Sequence, residues 1–341
     1  MRGVILHAPG DVRVVDRPDP VIEAPTDAII RVTAACICGS DLWPYRGADP
    51  VDDKPMGHEY VGIVEDVGED VRTLEVGDFV VGSFVASDNT CEICTAGFQS
   101  RCVHQVMMGS IGTQAEKARI PLADGTLVAV PGKPTAAQAA SLLAASDVLG
   151  TGWFAAVAAQ AGPGKTVAVV GDGAVGLMGV LAAKQLGASR IIAMSRHSDR
   201  QALASTFGAT DIVEERGEAG ISAINELTGG YGAHSTIEAV GTQESMMQAI
   251  GATRAGGHIG FVGLSHDVHI DGRILFAKTV SLFGGMAPVR RFLPGLIDLI
   301  MTDQIDPGIV FDMALPLEKA ADGYRAMDER RAIKVLLETQ Q

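Results

Sequence analysis

At 341 residues, the chain exceeds the roughly 250 to 300 residues at which a single hydrophobic core stops growing, so two domains are expected. Apolar residues make up 47% of it and aromatics 5%, with 41 glycines, a balance that suits a compact α/β protein rather than a disordered or fibrous one. Lys plus Arg number 27 against 41 Asp plus Glu, and the resulting net charge of -14 repels phosphate backbones and anionic lipid, so neither nucleic acid nor a membrane is expected as a partner.

The opening MRGVILHAPGDVRVVDRPDP alternates apolar and polar residues as a strand does and lacks the apolar core of a signal peptide. No later stretch is apolar for long enough to span a bilayer. A cytoplasmic protein is the resulting expectation. Up to about residue 148, short apolar runs such as AIIRVTAA, EYVGIVEDVG and DFVVGSFV are separated by Gly, Pro and Asp, with Pro55, Pro121, Pro131 and Pro134 as punctuation. This is the pattern of a many-stranded β domain.

From about residue 151 apolar strands alternate with Ala-rich helical segments: TVAVVG with AVGLMGVLAAKQLGA, RIIAMS with RQALASTFGA, then DIVEE, ISAINELTGG, STIEAVG, SMMQAIGATRAGG, HIGFVG and VSLFGG. That order predicts βαβ units and a parallel sheet of about six strands. Gly187, Gly208 and Gly256 are expected at helix C-termini, where a left-handed residue closes the last turn. The final stretch, LPGLIDLIMTDQIDP through KAADGYRAM to AIKVLLE, reads as helix, helix and strand, and is too short to stand alone. The predicted organisation is therefore one domain of residues 1–150 completed by 291–341, and a second of 151–290.

Gly171, Gly173 and Gly176 form G-x-G-x-x-G directly after the strand VAVV and directly before a helix. Glycines there let the backbone approach a pyrophosphate, and the following helix N-terminus offers it free N–H groups and a positive dipole end. About 20 residues further on, an Asp or Glu would accept hydrogen bonds from an NAD ribose. Here the chain reads AMSRHSDR, with Ser195 where the acid would stand, Arg196 next and Arg200 one helical turn on. With no carboxylate to repel it, a 2′-phosphate could bond one or both guanidinium groups, so NADP(H) is expected over NAD(H).

Five cysteines are too few for a disulfide framework, and four of them fall in two clusters with polar neighbours, which suggests metal ligation. Cys38 in CICGSDLW and His58 with Glu59 in MGHEYVGIVEDVG offer a thiolate and an imidazole, a usual zinc pair. Spacing alone leaves them equally a buried thiol and a core histidine. In the segment SDNTCEICTAGFQSRC, Cys91, Cys94 and Cys102 lie in a polar loop, which is read as a structural zinc lobe, a metal-free loop, or a disulfide of Cys91 or Cys94 with Cys102.

GHEYVGIVEDVG, with CGSD upstream and GDGAVG downstream, closely resembles the zinc-containing medium-chain alcohol dehydrogenases, and the similarity runs essentially end to end. The resemblance implies an α/β chain made of a GroES-like β-rich catalytic domain and a doubly wound Rossmann domain. It implies that Cys38 and His58 bind catalytic zinc and that Glu59 can coordinate it in some states. The remaining ligand matches Asp147 in AASDVLGTGW, where many members have Cys and a branch including bacterial NADP-dependent secondary alcohol dehydrogenases has Asp. Carboxylate oxygen is an accepted zinc ligand of the same charge as thiolate; an N-cap for the following helix is the structural alternative. In the lobe, alignment places Asp88 on the first of four ligand positions, ahead of Cys91, Cys94 and Cys102.

By the same resemblance Ser40 passes on the alcohol proton and Asp41 orients the zinc histidine. Thr151 lies beside the nicotinamide and Lys334 near the pyrophosphate. Many members have a histidine shortly after the CGSD segment that extends the proton relay, whereas this chain has Trp43. The implied reaction is hydride transfer between NADP(H) and an alcohol or carbonyl compound. Polyol, sugar or amino-alcohol dehydrogenases, zinc-free quinone reductases and a non-catalytic NADP(H)-binding redox sensor are the rival readings. Members are dimers or tetramers, bacterial ones more often tetramers, so a homo-oligomer is expected.

Overall fold

A computed structural model describes residues 1–339. The chain divides into two compact units, one of Met1–Asp147 with the stretch from Pro288 onward, the other of Val148–Ala287. Among the described residues no single helix is long and apolar enough to cross a membrane.

The first unit is built on a seven-stranded sheet whose hub is the strand Ala28–Cys36. Its alternate residues Ala28, Ile30 and Val32 are fully buried while Arg31 between them is half-buried, as an antiparallel strand with one face on the core requires. It pairs antiparallel with Tyr60–Val67, Ala35 opposite Tyr60, with register shifts at Ile29/Ile30 and Val32/Ala34. On its other side lies Val335–Glu338, Leu336 opposite Cys36. The C-terminal segment thus rejoins the first domain through hydrogen bonds in the middle of the sheet. That strand also pairs, in parallel, with Met313–Pro316, which the sequence pattern did not reveal. Tyr60, Met108, Ile120 and Leu127 fill one core, each such side chain contributing about 1.5 to 3 kcal/mol when buried. The shared strand ends bring the segments that leave Cys36 and enter Tyr60 together.

The second unit carries one six-stranded sheet, in spatial order Asp211–Val213, Arg190–Met194, Thr166–Val170, Ala233–Glu238, Thr253–Phe261, Ser281–Gly284. Every pairing is parallel. The strand order reverses beside Thr166–Val170, which is where an open α/β sheet receives ligands, outside the carboxyl ends of its strands. The helix Ala174–Gln185 follows directly. Gly208 caps its helix in the left-handed conformation, and Gly187 has φ 87° just past another. Gly256 corrects the pattern reading: the helix Gln243–Ala252 stops at Thr253, and Gly256, though left-handed at φ 70°, lies inside the next strand, its N–H bonded to Thr279.

Candidate metal centres and dinucleotide loop

Beyond Cys36 the chain turns through Ile37 and Cys38 into the short 3-10 turn Gly39–Asp41. Asp41 closes that turn on itself: its Oδ2 accepts from the Cys38 N–H at 3.1 Å. On the neighbouring strand's approach, Gly57 has φ 100°, and a Cβ there would meet the Gln114 nitrogen at 2.4 Å. Only glycine fits, and the turn it makes delivers His58 and Glu59 to the same end of the sheet. Asp147 ends the first unit's N-terminal part.

Cys38, His58, Glu59 and Asp147 thereby offer four ligand atoms within 4.8 Å of one another. The His58 Nε2 lies 3.4 Å from Asp147 Oδ2, and the Cys38 Sγ 3.8 Å from the same oxygen. Tetrahedral zinc sets nitrogen and oxygen ligands about 3.4 Å apart and sulfur and oxygen about 3.6 Å apart. Glu59 Oε1 is buried without a hydrogen-bond partner among the described residues. The donor set and its orphaned oxygen fit zinc.

The electrostatics agree. Burial, then the Glu59 charge, pushes the Cys38 thiol up; burial likewise raises Glu59 against the pull of Lys334. Burial disfavours charge on His58, yet Asp41 and Cys38 hold its imidazole well above the ordinary range. The protein alone thus leaves this cluster short of positive charge, the deficit a divalent cation removes.

Around the cluster, Asp41 Oδ1 stands 3.5 Å from His58 Nδ1, and its Oδ2 also accepts from Gln114 Nε2 at 3.1 Å. Gln114 Oε1 in turn accepts from the Tyr324 hydroxyl at 2.9 Å. Gln114 and Tyr324, both fully buried, are site residues that sequence reasoning missed. A Gln and a Tyr 210 positions apart carry no local signal. Ser40 is half-buried on the turn and Trp43 half-buried in the segment Leu42–Tyr45. The Phe84 ring meets His58 edge-on, centroids 6.2 Å apart.

Lys334 sits inside the sheet region, 1% exposed, rather than on an edge strand. Its ammonium donates to the Ile37 carbonyl at 3.1 Å and to Glu59 Oε2, to which the Cys36 thiol also donates. Burial works against that charge, but Cys36 and Glu59 hold it above the usual lysine range. The structure thus gives Lys334 a carboxylate partner behind the metal donors.

In the loop, Asp88, Cys91, Cys94 and Cys102 form a second set within 4.8 Å. The Sγ atoms of Cys91 and Cys102 are 4.0 Å apart, close to the roughly 3.8 Å edge of a thiolate tetrahedron and far outside the roughly 2.05 Å of a disulfide; all five cysteines are free thiols. Asp88 Oδ1 accepts from the Thr90 and Cys91 N–H groups and Oδ2 faces His104 Nδ1 at 2.7 Å. Burial opposes its ionisation, but these donors hold the carboxyl below its usual range. The set fits a closed structural site.

In the second unit, Gly176 packs where a Cβ would strike the Gly171 carbonyl oxygen at 2.0 Å, while a Cβ on Gly173 would meet nothing within 4 Å. The loop thus folds tightly against its helix and leaves open space above it, and no side chain caps that helix N-terminus. Both features suit a pyrophosphate. Thr151 is buried in the first turn of Val148–Ala158. Ser195 is buried at its strand end and Arg196 exposed beyond it. The region does not lack a carboxylate: Asp172 accepts from the Ser195 hydroxyl at 2.8 Å and from Arg200 Nη1 at 3.2 Å. This corrects the expectation of an acid-free pocket, because the acid comes from the glycine loop instead of the strand end.

Comparisons with known proteins follow these features. The family profile "Alcohol dehydrogenase GroES-like domain" matches residues 24–132 and "Zinc-binding dehydrogenase" matches residues 174–302. The chain is 38% identical over 332 residues to a probable zinc-binding alcohol dehydrogenase of Mycobacterium tuberculosis, covering 95% of this chain and 84% of that one. It is 33% identical over 348 residues to the zinc-type alcohol dehydrogenase B of Aspergillus flavus, covering 98% and 81%. Among solved structures it resembles an alcohol dehydrogenase of Thermus sp. ATN1 at TM-score 0.91 and 32% identity, with 99% of each chain covered.

Proposed function

This chain belongs to the zinc-dependent medium-chain alcohol dehydrogenase family, and from that premise we propose that it moves a hydride between a nicotinamide dinucleotide, NADP(H) in preference to NAD(H), and a secondary alcohol or its ketone. The observation that carries this reading is the buried Cys38, His58, Glu59 and Asp147 set with its unsatisfied Glu59 oxygen. Cys38, His58 and Asp147 would hold the ion, with Glu59 in reserve, and zinc there supplies a Lewis acid for the substrate oxygen. Asp41 fixes the His58 tautomer by facing Nδ1, which leaves Nε2 as the metal-binding nitrogen. The Ser40 hydroxyl, two residues from Cys38 on the same turn, takes the alcohol proton and passes it outward.

Phe84 against His58 supports an apolar substituent on the substrate over a polyol or sugar, which would need polar partners at that wall. Ser195 with the exposed Arg196 supports NADP(H). Among the described residues the strand Ser281–Gly284 stands at the edge of its sheet, and Phe283 is 48% exposed; these support a homo-oligomer. Thiolate ligands suit a reducing compartment, and cytoplasmic residence is part of the proposal.

Metal analysis of the purified protein combined with a panel of secondary alcohols, ketones, polyols and 2-amino alcohols tests it. Two zinc ions per chain and highest kcat/KM on an apolar secondary alcohol or ketone with NADP(H) are expected. Polyol preference moves the substrate class, and cofactor binding without turnover of any panel member turns the reading to a redox sensor. Carbonyl reduction that survives removal of zinc ends it.

A further inference from the structure

The glycine loop holds a charged pair that the dinucleotide motif does not require. Asp172 is the variable second residue of Gly171-x-Gly173-x-x-Gly176. Its carboxylate is inside, 13% exposed, bonded on Oδ2 by the Ser195 hydroxyl and on Oδ1 by Arg200, which also reaches the Asp172 carbonyl at 3.3 Å. Ser195 is itself fixed, its carbonyl accepting from Gln201 at 2.9 Å. Of Ser195, Arg196 and Arg200, only Arg196 is exposed, and among the described residues its side chain has no hydrogen-bond or ion-pair partner.

We infer that Asp172 is a specificity-determining residue that opposes the 2′-phosphate of NADP(H), and so keeps the cofactor preference narrow. The inference rests on the nicotinamide reading above and deepens it. An ionised carboxylate has about four acceptor positions, and Ser195 and Arg200 occupy two of them, so Asp172, reaching from the glycine loop to Ser195 at the strand end, retains capacity for a ribose diol. Toward a 2′-phosphate the same carboxylate is repulsive. It also holds Arg200, so only Arg196 remains free to pair with the phosphate. Removing the charge of Asp172 ends the repulsion and releases Arg200, while removing Arg196 takes away the free cation. The two changes therefore act in opposite directions on one ratio.

The experiment titrates the zinc-loaded full chain, as wild type, Asp172→Asn and Arg196→Ala, with NADPH and with NADH, following nicotinamide fluorescence to obtain Kd. The ratio of the NADPH Kd to the NADH Kd is expected to fall tenfold or more in Asp172→Asn and to rise tenfold or more in Arg196→Ala. A ratio in Asp172→Asn within twofold of wild type, or shifted toward NADH, overturns the role of Asp172. Failure of the wild type to bind either dinucleotide overturns instead the nicotinamide reading. Asp172→Ser repeats the charge removal should the amide variant not fold. If circular dichroism shows that neither folds, Asp172 belongs to the loop's architecture and the inference falls.

Discussion

The two donor clusters draw on similar chemistry in opposite surroundings. Cys38, His58 and Glu59 stand at the ends of central strands and Asp147 in the turn between the helices Ala136–Ala145 and Val148–Ala158, backed by Lys334, Asp41, Gln114 and Tyr324, all buried. Asp88, Cys91, Cys94 and Cys102 stand in a loop whose regular structure is one short helix, Glu92–Thr95, and one 3-10 turn, Gln99–Arg101. The first is held in shape by the sheet whether or not an ion is bound, so its metal can be given over to chemistry. The second has little apolar area of its own, and an ion there supplies folding energy to the loop. A catalytic site is thus recognised by the layers behind its ligands, and a structural one by their absence.

The sharpest test of that contrast is removal of a ligand from each. Cys38→Ser is expected to abolish turnover and lower the zinc content by one ion, with the melting temperature little changed. Cys94→Ser is expected to remove one ion and lower the melting temperature while the folded protein keeps its kcat/KM. Metal analysis, steady-state kinetics and thermal unfolding read both. Equal loss of activity in the two variants would collapse the distinction.

The backing layer gives the next largest effect. Lys334→Met leaves Glu59 buried with no cation against it, and breaking such a pair by removing one partner costs about 3 to 5 kcal/mol. Denaturant unfolding should show that loss, and a double variant Lys334→Met with Glu59→Gln should recover part of it. A smaller effect is expected at Gln114, which bonds Asp41 and acts on His58 only through it. Gln114→Leu should weaken zinc retention by less than the roughly 10- to 100-fold usual for a direct partner of a metal ligand, measured by competition with a chelator. At saturating zinc its kcat should return toward wild type.

The same layering explains what the sequence could show. Period-2 and βαβ patterns located the hub strand and the parallel sheet, since strand burial and helix alternation are written in consecutive residues. The candidate ligands Cys38 and His58 sit in recognisable local words, CGSD and GHE, because turn and donor are adjacent in the chain. Gln114, Tyr324 and the Glu59 partner of Lys334 were not legible, since their meaning lies in contacts between positions up to 275 apart. Asp172 was overlooked for a different reason: the motif treats its position as free, and only the Ser195 and Arg200 contacts give it significance. Met313–Pro316 was missed because four residues ending in proline show too little alternation to mark a strand.

The smallest effect is expected at Asp88, the position where the lobe departs from four cysteines. Asp88→Cys keeps the ligand charge and offers a softer donor, which zinc accepts equally. It removes the carboxylate that receives the Thr90 and Cys91 N–H groups and faces His104, and each such bond to a charged group is worth about 1.5 to 3 kcal/mol. Asp88 is a capping residue of the loop as well as a candidate ligand, so ligand gain and cap loss should offset each other. The melting temperature should stay within about 4 °C of wild type, the shift that about 3 kcal/mol produces in a chain of this size, with two zinc ions retained. Zinc release to a chelator should slow, because a third neighbouring thiolate is joined by a fourth. Faster release, or loss of the ion, would show that the carboxylate and its N–H partners, and not the thiolates, set the lobe's hold on its metal.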